Sequence, residues 1–519
     1  MASSDKPAAP GEYPPLHGLP LLFLTAAIAT ASFMEILDMT IVNVSVPAIS
    51  GSLGVSSSEG TWVVSSYMLA AAFMQPLTGW ISRRFGEVRT FVTSILLFMV
   101  FSAVCGLATS LPMLVASRLM QGFVSGPMMS VAQAILLRNY PIERRGMAIA
   151  LWAMVIVIAP ICGPILGGWI TDNLSWPWLF YINLPVGTFC AISCWTILRK
   201  RESVKVKSPI DVTGLLLLIV GVGSLQFMLD NGNDKDWFNS PAIVTAAVVS
   251  LVSLVFLVPW ELTDKHPVVD LTLFRRRNFR IATITICLGY FGMMGVNILF
   301  PLWLQTTLGY TATHAGLAVA PMGVLALVCS PFVGRNMNRM NLRLAVSFAF
   351  IVFGTAVLWT STLNEDATFL QFATPRFLQG LGIAFFFLPL NTILLSEVRA
   401  DQLANATGLS NFCRTMAGSI ATAVTIWIWN RRTDYHHVVL TEHVRNSSGS
   451  WLHYQSMLDA IGVTGVRAYQ YVDAIIAQQA STLGVNDVFV AIGCMYFVIT
   501  PLVWFAKPPF TFKRGEGGH

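Results

Sequence analysis

Ser117-Arg118-Leu119-Met120-Gln121-Gly122 lies inside one long apolar run, and Pro375-Arg376-Phe377-Leu378-Gln379-Gly380 lies inside another much later in the chain. Both read Arg-x-x-Gln-Gly. A repeat of this kind marks secondary transporters, in which two helical bundles rock about a site between them. An arginine retained in an apolar helix costs about 2.5–3.5 kcal/mol on insertion scales, so it faces protein or water rather than lipid. Arg118 and Gln121 share a helix face through their i, i+3 spacing, and Gly122 with Gly126 forms a small-xxx-small strip for close helix approach.

Outward from this repeat, the 519-residue chain is 55% hydrophobic and 11% charged, with a mean hydropathy of +0.65. That is far outside soluble usage. The apolar runs approach the ~20 residues of a spanning helix, whereas barrel strands alternate over about ten. They predict an all-α polytopic membrane protein with 14 transmembrane helices, near 19–46, 60–82, 90–109, 112–137, 147–171, 178–198, 211–230, 241–261, 280–305, 314–333, 344–363, 369–396, 405–430 and 486–506. The repeat divides them into two six-helix domains, 19–198 and 280–506, with a linker and two inserted helices in 199–279. Tails 1–18 and 507–519 complete the chain, and one long outer loop, 431–485, is expected in the second domain.

The net charge of +6 raises a nucleic-acid partner, but the basic residues sit in short clusters between apolar runs and read as topology signals. If both termini are cytoplasmic, the inner loops and tails hold 24 of the 32 Lys+Arg. Outer loops hold five (Lys235, Arg431, Arg432, Arg445, Arg467), and Arg118, Arg376 and Arg414 lie within helices. The eight cysteines all fall in apolar runs without CxxC or zinc spacing, as buried thiols would. Residues 1–18 do not read as a cleaved signal peptide. His436, His437, His443 and His453 lack a helical HxxxH pair, so no metal site is assigned. Val466, Tyr469, Val472 and Ile476 suggest a weakly amphipathic outer helix that either docks a partner or merely closes the loop.

The first run contains Phe33-Met34-Glu35-Ile36-Leu37-Asp38-Met39-Thr40-Ile41-Val42-Asn43-Val44-Ser45-Val46-Pro47. Glu35 and Asp38 lie on one helical face. Intramembrane acids serve pathways and proton relays more often than packing, which makes Asp38, with Glu35 beside it, the proton-coupling candidate. Arg118 keeps its proton and can hold the charge of either acid. Asn43, Gln121, Asn183, Arg376, Gln379 and Arg414 are candidate cavity residues, with Asn297, His314 and Asn391 as further polar points. A positive wall among Phe and Met would suit amphipathic, anionic ligands. In Ala159-Pro160-Ile161-Cys162-Gly163-Pro164-Ile165-Leu166-Gly167-Gly168, prolines and glycines predict a hinge or a closely packed kink. Gly79 and Gly86 bound a basic turn containing Arg83, Arg84 and Arg89.

These residues resemble the major facilitator superfamily, specifically its EmrB-like, fourteen-helix drug:proton antiporter branch, over about the whole chain. Leu37-Asp38-Met39-Thr40-Ile41-Val42-Asn43 is similar to the branch's first-helix signature, Arg118 to Gly122 to its fourth-helix signature, and Gly163-Pro164 with Gly167-Gly168 to its antiporter motif. The resemblance implies the major facilitator fold and proton-driven export of hydrophobic compounds from a bacterial inner membrane, with no cofactor beyond the proton gradient. It also implies assembly with a periplasmic adaptor of the EmrA kind and a TolC-like outer-membrane channel. FarB-like members of the group export long-chain fatty acids, and the cavity arginines fit that class. The chain departs from the branch at Arg83, where an acid is usual, so a role resting on that acid does not carry over. The competing readings are import, a non-transporting receptor or scaffold for hydrophobic ligands, and a membrane enzyme. Against the last, HExxH, GxSxG and GxxxxGK[ST] are absent from the sequence.

Overall fold

Hydrocarbon offers the backbone no partner, so an apolar run must satisfy its own hydrogen bonds as a helix. The computed structural model describes residues 13–510 except 56, 61, 142–143, 207–208, 210, 234, 265–266, 338, 400–401, 445–454, 459 and 461–463. Its long helices are α1 (Leu19–Leu53), α2 (Trp62–Phe85), α3 (Glu87–Gly106), α4 (Leu111–Asn139), α5 (Arg145–Asn173), α6 (Asn183–Leu198), α7 (Val212–Asn231) and α8 (Pro241–Thr263). They continue as α9 (Arg277–Thr306), α10 (Ala312–Val319 and Pro321–Asn336, broken at Ala320), α11 (Leu342–Thr360), α12 (Phe369–Leu395), α13 (Leu403–His443) and α14 (Val466–Ile499). A 3₁₀ segment, Thr500–Phe505, extends the last.

Among the described residues, eleven helical segments are long and apolar enough to cross a membrane. The long helices outside that set are α2, α5 and α13. Two of these carry polar residues on buried faces, Ser66 and Thr78 in α2 and Asn405, Thr407, Ser410, Asn411 and Arg414 in α13. Helices that contact protein on several sides tolerate such residues where lipid-facing ones do not.

In the N-terminal half α2 packs along α4, α1 along α5 and α6, and α3 along α4 and α6. In the C-terminal half α9 packs on α12, α13 and α14, while α11 packs on α12 and α14. The halves meet where α10 crosses α5 and where α13 crosses α2 and α4. The pair α7–α8 leans on this seam through α2 and α13. Trp260 Nε1 of α8 donates to Asp211 Oδ2 at 2.9 Å, and Asp211 also caps α7 by accepting from the Gly214 N–H at 2.9 Å.

The segment after Leu198 is docked rather than loose. Glu202 accepts from the backbone N–H groups of Val88 (2.9 Å) and Arg89 (3.1 Å), capping α3 from its N-terminal side. Gly86, at φ +95°, makes the turn that leads into α3.

Residues 431–485 correct the expected loop. The structure runs α13 on to His443 and starts α14 at Val466, so most of the segment extends the two flanking helices. At 1.5 Å per residue α13 is about 60 Å long, roughly twice the hydrocarbon thickness. The extensions are joined by Arg432–Asp487 (2.6 Å), His436–Asp487 (2.7 Å) and His437–Asp473 (3.2 Å). Their apolar contact uses Ala468, Val472 and Ile476 against Leu440 and Val444, while Val466 and Tyr469 point outward. Spacing by four therefore carries the buried stripe. Arg445, the turn Asn446-Ser447-Ser448-Gly449, His453 and most of both tails lie outside the described residues. Among the cysteines Cys105, Cys190 and Cys194 are buried, but Cys494 faces out of the bundle.

Glycine sets how closely α1 and α5 approach. A Cβ at Gly163 would overlap the Thr40 side chain, and one at Gly167 would sit 2.5 Å from the Ile41 carbonyl oxygen. Gly168, expected in the same close-packed strip, has open space around it and takes no part. The different surroundings predict different variants. Gly167→Leu should destabilise the protein by about 1–3 kcal/mol or more through overpacking, seen as a lower melting temperature in detergent, whereas Gly168→Leu should melt with wild type.

Candidate functional site

The i, i+3 spacing on α4 aims Arg118 and Gln121 at α1, where Asp38 is buried at 1% exposure. Arg118 Nη1 donates to Asp38 Oδ2 at 2.5 Å, with both side chains fully buried. Asp38 Oδ1 accepts from Asn183 Nδ2 at 2.7 Å and from Gln121 Nε2 at 3.2 Å. Gln121 Oε1 in turn accepts from Arg118 Nη1 at 2.9 Å. Both acid oxygens are thus occupied, and four side chains from α1, α4 and α6 hold one another.

Arg118 is further placed by Nε donating to the Val63 carbonyl at 3.1 Å, which ties α4 to α2. Its guanidinium lies 4.2 Å from the Tyr67 ring and 5.6 Å from the Phe180 ring. Rings at this range stabilise a desolvated cation. Asn183 also donates to Ser102 Oγ at 3.0 Å, and Ser102 donates to the Phe180 carbonyl at 2.9 Å, which brings in α3.

Glu35 is buried one turn earlier on α1, but Arg118 pairs with Asp38. Glu35 Oε2 has no hydrogen-bond partner among the described residues. Glu35 makes no ion pair among the described residues, and the positive charge that acts on it is Arg414 of α13, across the seam. Arg414 Nη2 approaches Met129 Sδ at 3.3 Å, and its guanidinium lies 5.4 Å from Tyr290, 5.9 Å from Trp152 and 6.0 Å from Phe387. Both halves therefore build the Arg414 cage.

The second copy of the repeat behaves differently. Arg376 Nη1 donates to Gln379 Oε1 at 2.9 Å, reproducing the Arg118–Gln121 bond, and its guanidinium lies 3.9 Å from Phe300. No carboxylate pairs with Arg376 among the described residues, and Arg376 Nε and Nη2 and Gln379 Nε2 have no partner there. Arg376 and Gln379, expected in the cavity between the halves, are both buried, and these contacts lie within the C-terminal half.

Other expected residues scatter. Asn43 is exposed on α1, away from Asp38, and His314 is exposed, with Nδ1 against Thr311 Oγ1 at 2.7 Å. Asn391 does reach the seam, where Oδ1 accepts from Gln133 Nε2 at 3.3 Å. Gly79 lies against the Asn405 side chain of the other half, where a Cβ would overlap. Arg83 is exposed with Nε on the Gly79 carbonyl at 3.2 Å, and the buried acid of this corner is Glu87, paired with Arg138 at 2.9 Å. Only the backbone of Pro164 is described. Tyr67, Ser102, Trp152 and Phe180 carried no sequence signal, since single aromatics and serines occur throughout the apolar runs.

The profile of the Major Facilitator Superfamily matches residues 28–422. The chain belongs to this superfamily. Membership of the major facilitator superfamily makes it a multi-pass membrane transporter rather than an enzyme. It is 44% identical to the multidrug export protein EmrB of Haemophilus influenzae over 500 residues, covering 96% of this chain and 98% of that one. It is likewise 44% identical to EmrB of Escherichia coli K12 over 505 residues, with 97% and 99% covered. The fatty acid resistance protein FarB of Neisseria gonorrhoeae is 42% identical over 508 residues, with 98% and 100% covered. Among solved structures, the human organic anion transporter MFSD10 superposes with a TM-score of 0.60 at 12% identity, over 94% of this chain and all of that chain, which supports the shared fold.

The network has a thermodynamic signature. Removing one member of a buried ion pair costs about 3–5 kcal/mol, whereas replacing both by apolar groups is often neutral. Asp38→Ala should therefore lower the melting temperature in detergent clearly, and Asp38→Leu with Arg118→Met should regain more than half of that loss. Simple addition of the two single losses would show that the residues do not act as a unit.

Proposed function

We propose that this transporter exports hydrophobic and amphipathic toxic compounds, long-chain fatty acids among them, across a bacterial inner membrane in exchange for protons. The observation that carries this reading is the Asp38–Arg118–Gln121–Asn183 network, a buried acid held by a cation that keeps its proton. Protonation of Asp38 removes the attraction that holds Arg118, and loosening this contact changes how α1 packs on α4 and α6. Through α5, which packs on both α1 and α10, the change reaches the seam. Alternating access needs such a link between proton site and interface.

The caged Arg414 supplies the ligand side. An anionic headgroup entering the seam can pair with Arg414, with Trp152, Tyr290, Phe387 and Met129 against its apolar part. These residues come from both halves, so the shape of the place changes as the halves rock. The names of the similar proteins, multidrug export for EmrB and fatty acid resistance for FarB, support this substrate range.

The same reading takes the fourteen long helices as fourteen crossings with both termini in the cytoplasm, the arrangement favoured by the basic clusters. Contacts at the basic end then close the inner side: Gly79 meets Asn405, a Cβ on Gly146 would lie 2.9 Å from the Gly334 carbonyl, and one on Gly408 would lie 2.8 Å from the Gln75 carbonyl. The projecting α13–α14 extensions would stand on the periplasmic side, where an EmrA-type adaptor leading to a TolC-like channel would be met. One charge moved through 100 mV is worth about 2.3 kcal/mol, or roughly fifty-fold accumulation.

Proton movement in proteoliposomes under an imposed pH gradient tests the coupling, with protein-free liposomes as baseline because fatty acids carry protons unaided. Substrate-dependent flux above baseline is expected, falling at least tenfold in Asp38→Asn. Ligand binding without flux would replace the export reading by that of a receptor. Arg414→Gln should weaken export of an anionic amphiphile at least fivefold more than that of a cationic one of equal apolar size, and equal losses would remove Arg414 from headgroup recognition.

A further inference from the structure

At the end of the bundle that carries the basic clusters, the start of α9 and the close of the chain's last span form a cleft of about 240 Å³. Arg277 and Arg280 line it together with Ile281, Ile284, Leu502 and Phe505. Arg277 opens one membrane-crossing segment and Phe505 closes another, so the arginines lie at interface level and the apolar residues extend toward hydrocarbon. The cleft is amphipathic along the membrane normal.

Its walls are pinned. Arg277 Nε donates to the Phe505 carbonyl at 2.7 Å, Asn278 Nδ2 donates to the Lys507 carbonyl at 2.8 Å, and the Lys507 N–H donates back to Asn278 Oδ1 at 2.8 Å. Arg343 Nη2 adds a bond to the Ala506 carbonyl. The N-terminus of α9 already has a cap, since Glu397 Oε2 accepts from the Asn278 N–H at 3.2 Å, so the site does not rest on helix-end amides. Arg280 is exposed, and its side chain has no hydrogen-bond or ion-pair partner among the described residues. Arg277 keeps both terminal nitrogens beyond its one bond through Nε. Among the described residues, no carboxylate lines the cleft.

We propose that this cleft binds an anionic phospholipid of the bilayer, its phosphate held between the Arg277 and Arg280 guanidinium groups and the upper part of one acyl chain laid against Ile281, Ile284, Leu502 and Phe505. Guanidinium forks match phosphate oxygens, and basic clefts between spanning helices at the interface select anionic headgroups. A soluble phosphate would use the arginines but leave the apolar wall uncovered. That wall decides for a lipid. The leaflet follows from the orientation proposed above, but the binding does not depend on it or on transport.

Native mass spectrometry of the delipidated full-length chain, titrated with phosphatidylglycerol or phosphatidylcholine, tests the site. Wild type should retain one phosphatidylglycerol in preference to phosphatidylcholine. Each arginine is worth about fivefold in affinity, so Arg280→Gln should weaken retention about fivefold and Arg277→Gln with Arg280→Gln further. Arg275→Gln, an exposed neighbour outside the cleft, should stay within twofold of wild type, and millimolar inorganic phosphate should not displace the lipid. Gel filtration of Arg280→Gln, which loses no internal contact, establishes that the fold is intact. Equal retention of both lipids, an equal effect of Arg275→Gln, or displacement by inorganic phosphate would each overturn the proposal.

Discussion

A fully buried carboxylate and a fully buried guanidinium, 2.5 Å apart, constrain the N-terminal half more than any other contact. Neither group is affordable alone in a dry interior, because desolvation of either charge exceeds what scattered dipoles return. Together they oblige α1 and α4 to meet at one register. Gln121 and Asn183 complete the shell around Asp38, which adds α6, and the Val63 carbonyl adds α2. The glycine contacts make this geometry reachable: Gly122 and Gly126 let α4 sit against the α2 backbone, and Gly163 and Gly167 let α5 sit against α1.

The C-terminal half repeats the Arg-x-x-Gln-Gly signature without the acid. Arg376 is cushioned by Phe300 and bonded to Gln379, yet its remaining nitrogens meet no carboxylate among the described residues. The halves therefore differ at corresponding positions: the N-terminal half buries an acid–arginine pair, while the C-terminal half buries its repeat arginine against a ring and contributes Arg414 to the seam.

Beside Arg414, several neutral polar contacts cross the seam. Asn411 Nδ2 donates to Ser130 Oγ at 3.0 Å, Thr407 Oγ1 donates to the Ser130 carbonyl at 3.2 Å, and Gln133 meets Asn391. Neutral bonds of this kind contribute about 0.5–1.5 kcal/mol each. Beside these contacts, Glu202 fastens the segment after α6 to α3 of the N-terminal half, and α7 packs on both α2 and α13.

The class of the protein and most of its long helices were legible in the sequence, because lipid punishes charge and thereby makes each retained one conspicuous. Asp38, Arg118 and Gln121 stood out for that reason, and their spacing already placed two of them on one face. Which acid Arg118 holds was not legible: Glu35 and Asp38 share a helix face, and only the rotation of α1 against α4 turns Asp38 rather than Glu35 to Arg118. The aromatic cage was hidden as well, since Tyr67, Phe180 and Trp152 look like every other apolar residue until helices distant in sequence bring them to a cation. Asn43 and Gly168 show the reverse, polar or small residues within a motif that tertiary packing leaves idle. The helical spacing of Val466, Tyr469, Val472 and Ile476 already marked the start of α14, whereas the α13 extension and the continuity of both with their spans escaped because exposed faces weaken the apolar signal. Local solvation determines which residues a membrane helix can hold, and only the packing of helices against one another decides which of them meet.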